Sequence, residues 1–175
     1  TLLAFYITPR IVKILEKRTV VLIAIAGVGI FSPAAFVMYN LGFTPEKGSL
    51  ELVFFISFFL VFLITLNVMG IMVRDSMVGD IADEVELQSG KRQEGILFAT
   101  VGFMQKLNAG LGGFFAGLVL NFINFDRTNH TAEQAYTLAF IQGPVTTLLM
   151  VIPIIIFFGY SLSSERHKEI IDSLK

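Results

Sequence analysis

Lys106 is the residue best placed to do chemistry. It stands twelve residues into a 31-residue run, Gly95 to Phe125, that carries no other charge. On a helix rising about 1.5 Å per residue it lies roughly 16 Å from the start of that run. An ammonium held at such depth in a bilayer costs roughly 2.5–3.5 kcal/mol on insertion scales, so it is expected to face a wet cavity or a paired acid. The alternative is that it snorkels to the membrane surface along its aliphatic stem. Gly102, Gln105, Ala109 and Gly110 lie beside it or one turn away and would let a ligand or helix come close. None of the apolar runs contains an acid to pair with it. Its counter-charge is therefore expected from a loop carboxylate, a substrate or a helix outside this sequence. Asn67 and Gln142 are uncharged polar residues in other apolar runs and suit interhelical hydrogen bonds or ligand contacts.

The second cluster is acidic. Arg74 to Gly95 holds Asp75, Asp80, Asp83, Glu84, Glu86 and Glu94 against Arg74, Lys91 and Arg92. Asp80, Asp83 and Glu86 recur every three residues, so a helix would gather them on one face and would need bases opposite. A solvated loop without a role is the alternative. A calcium loop fits poorly, because the ligand spacing and the central glycine are wrong.

Other chemistries find no support. There are no cysteines, so thiolate metal sites, a cysteine nucleophile and disulfides are excluded. His130 and His167 sit in polar segments and form no metal pattern. No nucleophile triad, phosphate loop or dinucleotide fingerprint occurs, so the chain is not expected to be an enzyme, and no cofactor is expected. A net charge of −1 suggests no nucleic-acid partner. Asn129-His130-Thr131 matches a weak N-glycosylation pattern.

The elements that must position these groups are membrane helices. Only 15% of the residues are Asp, Glu, Lys or Arg, against about 25% in a soluble domain, and 54% are hydrophobic. Four apolar stretches reach the length of about 20 residues that a crossing requires. They predict spans over 19–39, 52–73, 95–125 and 135–160, with kinks at Pro33, Pro144 and Pro153. Thr1 to Ile7 is too short to cross and reads as the end of a fifth helix. Lys and Arg number four in Thr8 to Arg18, three in Arg74 to Glu94 and three in the tail, but one each in Asn40 to Glu51 and Asp126 to Glu133. Basic loops stay in the cytoplasm, which places the first and third loops and the C-terminus there. The tail, 162–175, reads as a cytoplasmic amphipathic helix capped by Ser163 or Ser164. Ile170, Ile171 and Leu174 form its apolar face, laid on the membrane surface or against the bundle. On the third span, Ala109, Gly113 and Gly117 make a small-residue face for close helix packing.

The segment Met77-Val78-Gly79-Asp80-Ile81-Ala82-Asp83, then Glu86, then Gly90-Lys91-Arg92-Gln93-Glu94-Gly95, resembles the glycoside–pentoside–hexuronide:cation symporters. This melibiose-permease-like family belongs to the major facilitator superfamily. Lys106, twelve residues beyond Glu94, also fits its pattern, as do the Thr8-Pro9-Arg10 linker and the tail. The resemblance implies an all-α integral membrane protein, with residues 1–161 forming part of the C-terminal six-helix bundle of a twelve-helix carrier. It implies a secondary active transporter that brings in a sugar or related small organic solute with Na+ or H+ by alternating access. Asp80, Asp83, Glu86, Arg92 and Glu94 would form a cytoplasmic gate. Lys106, with Gly102, Gln105 and Asn67, would line the substrate and ion pathway. The cation would be bound mainly by an N-terminal half absent from this sequence. The bilayer, the solute, the cation and that half would be its partners, and the plasma membrane, bacterial inner membrane by resemblance, its location. Alternatives are a lysophospholipid carrier of the same family and a small self-associating structural membrane protein.

Overall fold

Apolar runs of this length leave the backbone no partner but itself in hydrocarbon, so helix is the local solution. The computed structural model describes residues 2–126, 128–160 and 164–173, the Ser164 side chain excepted, and every regular element among them is helical. In order these are α1 (Leu2–Ile11), α2 (Lys17–Asn40), α3 (Leu50–Ser89), α4 (Glu94–Phe122) and α5 (Ala132–Phe140). A π turn (Ile141–Val145), α6 (Thr146–Leu149), α7 (Val151–Phe158) and α8 (Ser164–Ser173) follow. The chain divides into two compact units, residues 1–77 with 140–166 and residues 78–139 with 167–175.

In the first unit, one stripe of α2 packs on one stripe of α3. Val20, Val21 and Ala24 meet Met69, Val73 and Met77, all buried. The axes come close because Gly70 has no side chain: a Cβ there would stand 3.3 Å from that of Ala24. Phe31 of α2 then meets Phe62 at a tilt, 4.3 Å between ring centroids, and Phe59 at 6.5 Å. Aromatic pairs of this kind add about 0.5–1.5 kcal/mol beyond their area.

The fourth predicted span is broken where the sequence placed its prolines. Pro144 has no N–H to give the preceding turn, and the helix widens there into the π turn. Two carbonyls of this turn also accept from hydroxyls. Thr146 Oγ1 donates to the Gln142 carbonyl and Thr147 Oγ1 to that of Gly143 at 3.0 Å. Thr147 Oγ1 also lies 3.0 Å from the Gly29 carbonyl of α2, tying the two elements together. Gly143 allows this approach, since a Cβ would meet the Pro33 Cα at 3.3 Å. Gly143→Val is expected to destabilise the protein by about 1–3 kcal/mol, as overpacking does. Thermal unfolding in detergent checks this, with Gly143→Ala falling in between.

Three boundaries differ from the sequence reading. The first linker is shorter, because α1 runs through Pro9 to Ile11, with the buried Thr8 hydroxyl donating to the Ala4 carbonyl at 2.7 Å. The third loop shrinks to the residues between Ser89 and Glu94, because α3 continues to Ser89 as one helix of 40 residues. At about 60 Å this is twice the hydrocarbon thickness, so α3 must project beyond the membrane. It stops at Gly90, which takes φ of +67° at no steric cost while its N–H bonds the Glu86 carbonyl at 2.8 Å. Finally, three helical stretches rather than four are both long and apolar enough to cross a membrane among the described residues: Lys17–Asn40, Leu50–Ser89 and Ala132–Phe158. With 29 residues, α4 has the length, but Gln105, Lys106, Asn108 and its glycines dilute it.

In the second unit, Ile170 of α8 is fully buried, so the tail helix docks on protein. The candidate cap Ser163, the apolar-face residue Leu174, and Leu162, Arg127 and Lys175 lie outside the described residues.

Candidate functional site

The second unit brings the acids of α3 to two different side chains, Arg92 and His167. Steps of three residues turn a helix by about 60° short of a full circle, so Asp80 and Glu86 point some 120° apart. The single face predicted from their spacing is therefore a spiral, and its repulsion is relieved in two places. At its far end, Arg92 Nε and Nη2 lie 3.0 and 2.9 Å from one oxygen of Glu94, and Nη1 is 3.4 Å from Glu86. The hydrogen bonds Arg92 donates to Glu94, then the charges of Glu94, Glu86 and Asp83, push the Arg92 pKa above its ordinary value. The guanidinium stays charged at any physiological pH. Arg92 is well exposed, so each of its pairs contributes little and can break and re-form.

Nearer the membrane end of the spiral, Asp80 and Asp83 face the tail. His167 Nε2 lies 3.0 Å from Asp83 Oδ2 and 3.5 Å from Asp80 Oδ1. These groups are far less exposed than Arg92: the side chains of His167, Asp80 and Asp83 keep 25%, 12% and 19% of their surface. The sequence reading grouped Asp80 and Asp83 with Arg92 and passed over His167. The pairing spans 84 positions of chain, and only the D-x-x-D pattern with a lone imidazole in an amphipathic tail hinted at it. Among the described residues no group of three or more His, Asp or Glu is arranged to hold a metal ion.

Lys106 sits mid-way along α4, a helix with no buried residue. Its side chain is exposed, as is that of Gln105, and Gly102 is half-buried with nothing within 4 Å of where a Cβ would be. Gly110, Gly113 and Gly117 are equally open. The lysine face and the small-residue face of α4 are thus both free of packing. Asn67 belongs to the first unit, where it lines an apolar groove with Arg74.

Residues 1–164 match the family model described as MFS/sugar transport protein. The chain belongs to that family. It is accordingly a multi-pass membrane protein of a transporter family and not an enzyme. The uncharacterized symporter YnaJ of Bacillus subtilis is 32% identical over 96 residues, 51% of this chain and 20% of that protein. YagG of Escherichia coli K12, whose name assigns it provisionally as a glycoside/cation symporter, is 25% identical over 92 residues, 53% of this chain and 19% of YagG. The matched region spans about a fifth of the length of each curated relative. No solved structure matches the chain.

Proposed function

We propose that this chain works as part of a cation-coupled symporter for a sugar or related small organic solute, moving it by alternating access. In this reading α2, α3, α4 and the segmented helix from α5 to α7 are four spans of the C-terminal bundle of a twelve-helix carrier. The remaining helices come from the rest of the carrier and supply most of the Na+ or H+ site. The carrier lies in the plasma membrane, bacterial inner membrane by resemblance, and the basic first and third connections and the tail face the cytoplasm.

The charge cluster at the end of α3 supports this reading most. It combines weak, water-exposed pairs of Arg92 with Glu86 and Glu94 and better-shielded contacts of Asp80 and Asp83 with His167. Such a cluster can hold one state of a gate and release it, because solute and ion shift the balance by differential affinity alone. Lys106, with Gly102 and Gln105 beside it, faces the pathway on α4, and Asn67 lines it from α3.

The test is uptake of labelled sugars into cells or vesicles under a sodium or proton gradient, with membrane insertion measured in parallel. Asp80→Asn is expected to lower uptake about three- to tenfold, the scale of one ordinary hydrogen bond of about 0.5–1.5 kcal/mol, with insertion unchanged. Unchanged uptake in that variant removes Asp80 from the gate. A lysophospholipid substrate is the second reading, favoured by the exposed Phe54 and Phe58 on α3. Uptake of labelled lysolipid, but of no sugar, selects it.

A further inference from the structure

The first unit contains a groove of about 200 Å³ between α2, α3 and α7. Val21, Ile25 and Val28 of α2, Ile71 of α3 and Phe157 of α7 form its walls. Its polar groups are at its two ends. Asn67 marks one, and Arg74, seven residues on and so about 10 Å along the helix axis, marks the other. The groove thus runs through roughly a third of a 30 Å hydrocarbon core, starting from the side where α2 begins and α3 leaves the membrane.

That mouth is cationic. Arg74 is a third exposed, and its Nε and Nη2 share one oxygen of Asp75 at 3.0 and 2.7 Å. At the start of α2, Arg18 donates to the Phe158 carbonyl at 2.8 Å, with its guanidinium 5.7 Å from the Phe158 ring, next in sequence to the groove-lining Phe157. An apolar slot with guanidinium groups at its surface end has the polarity of one phospholipid: phosphate at the mouth, chain below. Asp75 offsets part of the charge of Arg74 and opposes a headgroup of high negative charge.

We infer that this groove binds one monoanionic phospholipid of the adjoining leaflet, its phosphate on Arg74 and Arg18 and an acyl chain against Val21, Ile25, Ile71 and Phe157. The lipid is held rather than carried, and Asn67 at the inner end of the groove is the residue it shares with the proposed pathway.

Native mass spectrometry of the detergent-purified protein tests this with palmitoyl-oleoyl phosphatidylglycerol and phosphatidylcholine as probes. Phosphatidylglycerol is expected to be retained about fivefold better, the worth of one basic residue at a lipid surface. Arg74→Gln should abolish that preference, and Ile71→Trp should lower phosphatidylglycerol retention by filling the groove. Ile71 is 40% exposed, so its replacement leaves the helix core alone, which circular dichroism checks. Equal retention of the two lipids overturns the site. So does a preference that survives both variants, or one lost in Lys13→Gln instead, which would place the headgroup on the basic linker.

Discussion

Lys106→Ala is expected to lower solute uptake at least tenfold while leaving membrane insertion intact. The expectation follows from the cost of the residue. An ammonium near the middle of a spanning helix is unfavourable by roughly 2.5–3.5 kcal/mol, and alanine would remove that penalty together with whatever the lysine binds. On α4 the lysine lies among residues that bury nothing: Gln105 is exposed beside it, and Gly102, one turn before, has open space where a side chain would be. Among the described residues it makes no ion pair. If it meets a substrate oxygen or a carboxylate from elsewhere in the carrier, the lost hydrogen bond to a charged group is worth about 1.5–3 kcal/mol, hence about ten- to hundredfold. Lys106→Cys provides an independent measurement. In a wet pathway it reacts with a water-soluble thiol reagent, and solute slows that reaction. Full uptake by Lys106→Ala, with Lys106→Cys labelled at a rate the solute does not change, would instead describe a lysine that snorkels to the headgroups.

The sequence made parts of this architecture legible because they depend on solvent alone. Apolar length marked α2 and the first part of α3, and a missing N–H at Pro144 marked the break in the last span. The course of α3 beyond Val73 was harder to see. From Arg74 to Ser89 its residues suit water as well as any loop, and only the three-residue recurrence of Asp80, Asp83 and Glu86 carried a helical signal. That signal was correct for secondary structure and misleading for partners. A step of three is not a step of 3.6, so the acids drift around the helix and meet two different side chains, Arg92 and His167. Arg92 was readable because its partners are near neighbours in sequence. His167 was not, because what brings it to Asp83 is the docking of a whole helix through the buried Ile170. In α4 Gln105 and Lys106, the polar residues proposed to face the pathway, together with Asn108 weaken its signature as a membrane span. The two readings of that helix compete at the same positions.

His167→Ala is expected to release α8. The imidazole contacts Asp83 at 3.0 Å and Asp80 at 3.5 Å, in surroundings shielded enough for a hydrogen bond to a carboxylate to be worth about 1.5–3 kcal/mol. A ten-residue helix is too short to persist alone in water, so its order depends on this contact and on Ile170. Hydrogen exchange of the α8 amides should therefore accelerate by about ten- to hundredfold in the variant, while amides in α2 keep their rates. Asp83→Asn should have a smaller effect, since an amide oxygen can still accept a hydrogen bond from the ring. Asp80→Asn should have the least, its contact being the longer. His130→Ala, in the connection between α4 and α5, should leave α8 unchanged. If α8 exchanges at its original rate without the imidazole, Ile170 alone anchors the tail, and the contacts with Asp83 and Asp80 do not hold it. If the rate rises and uptake changes with it, the tail is a working part of the gate, and the strength of one histidine contact sets how readily that gate opens.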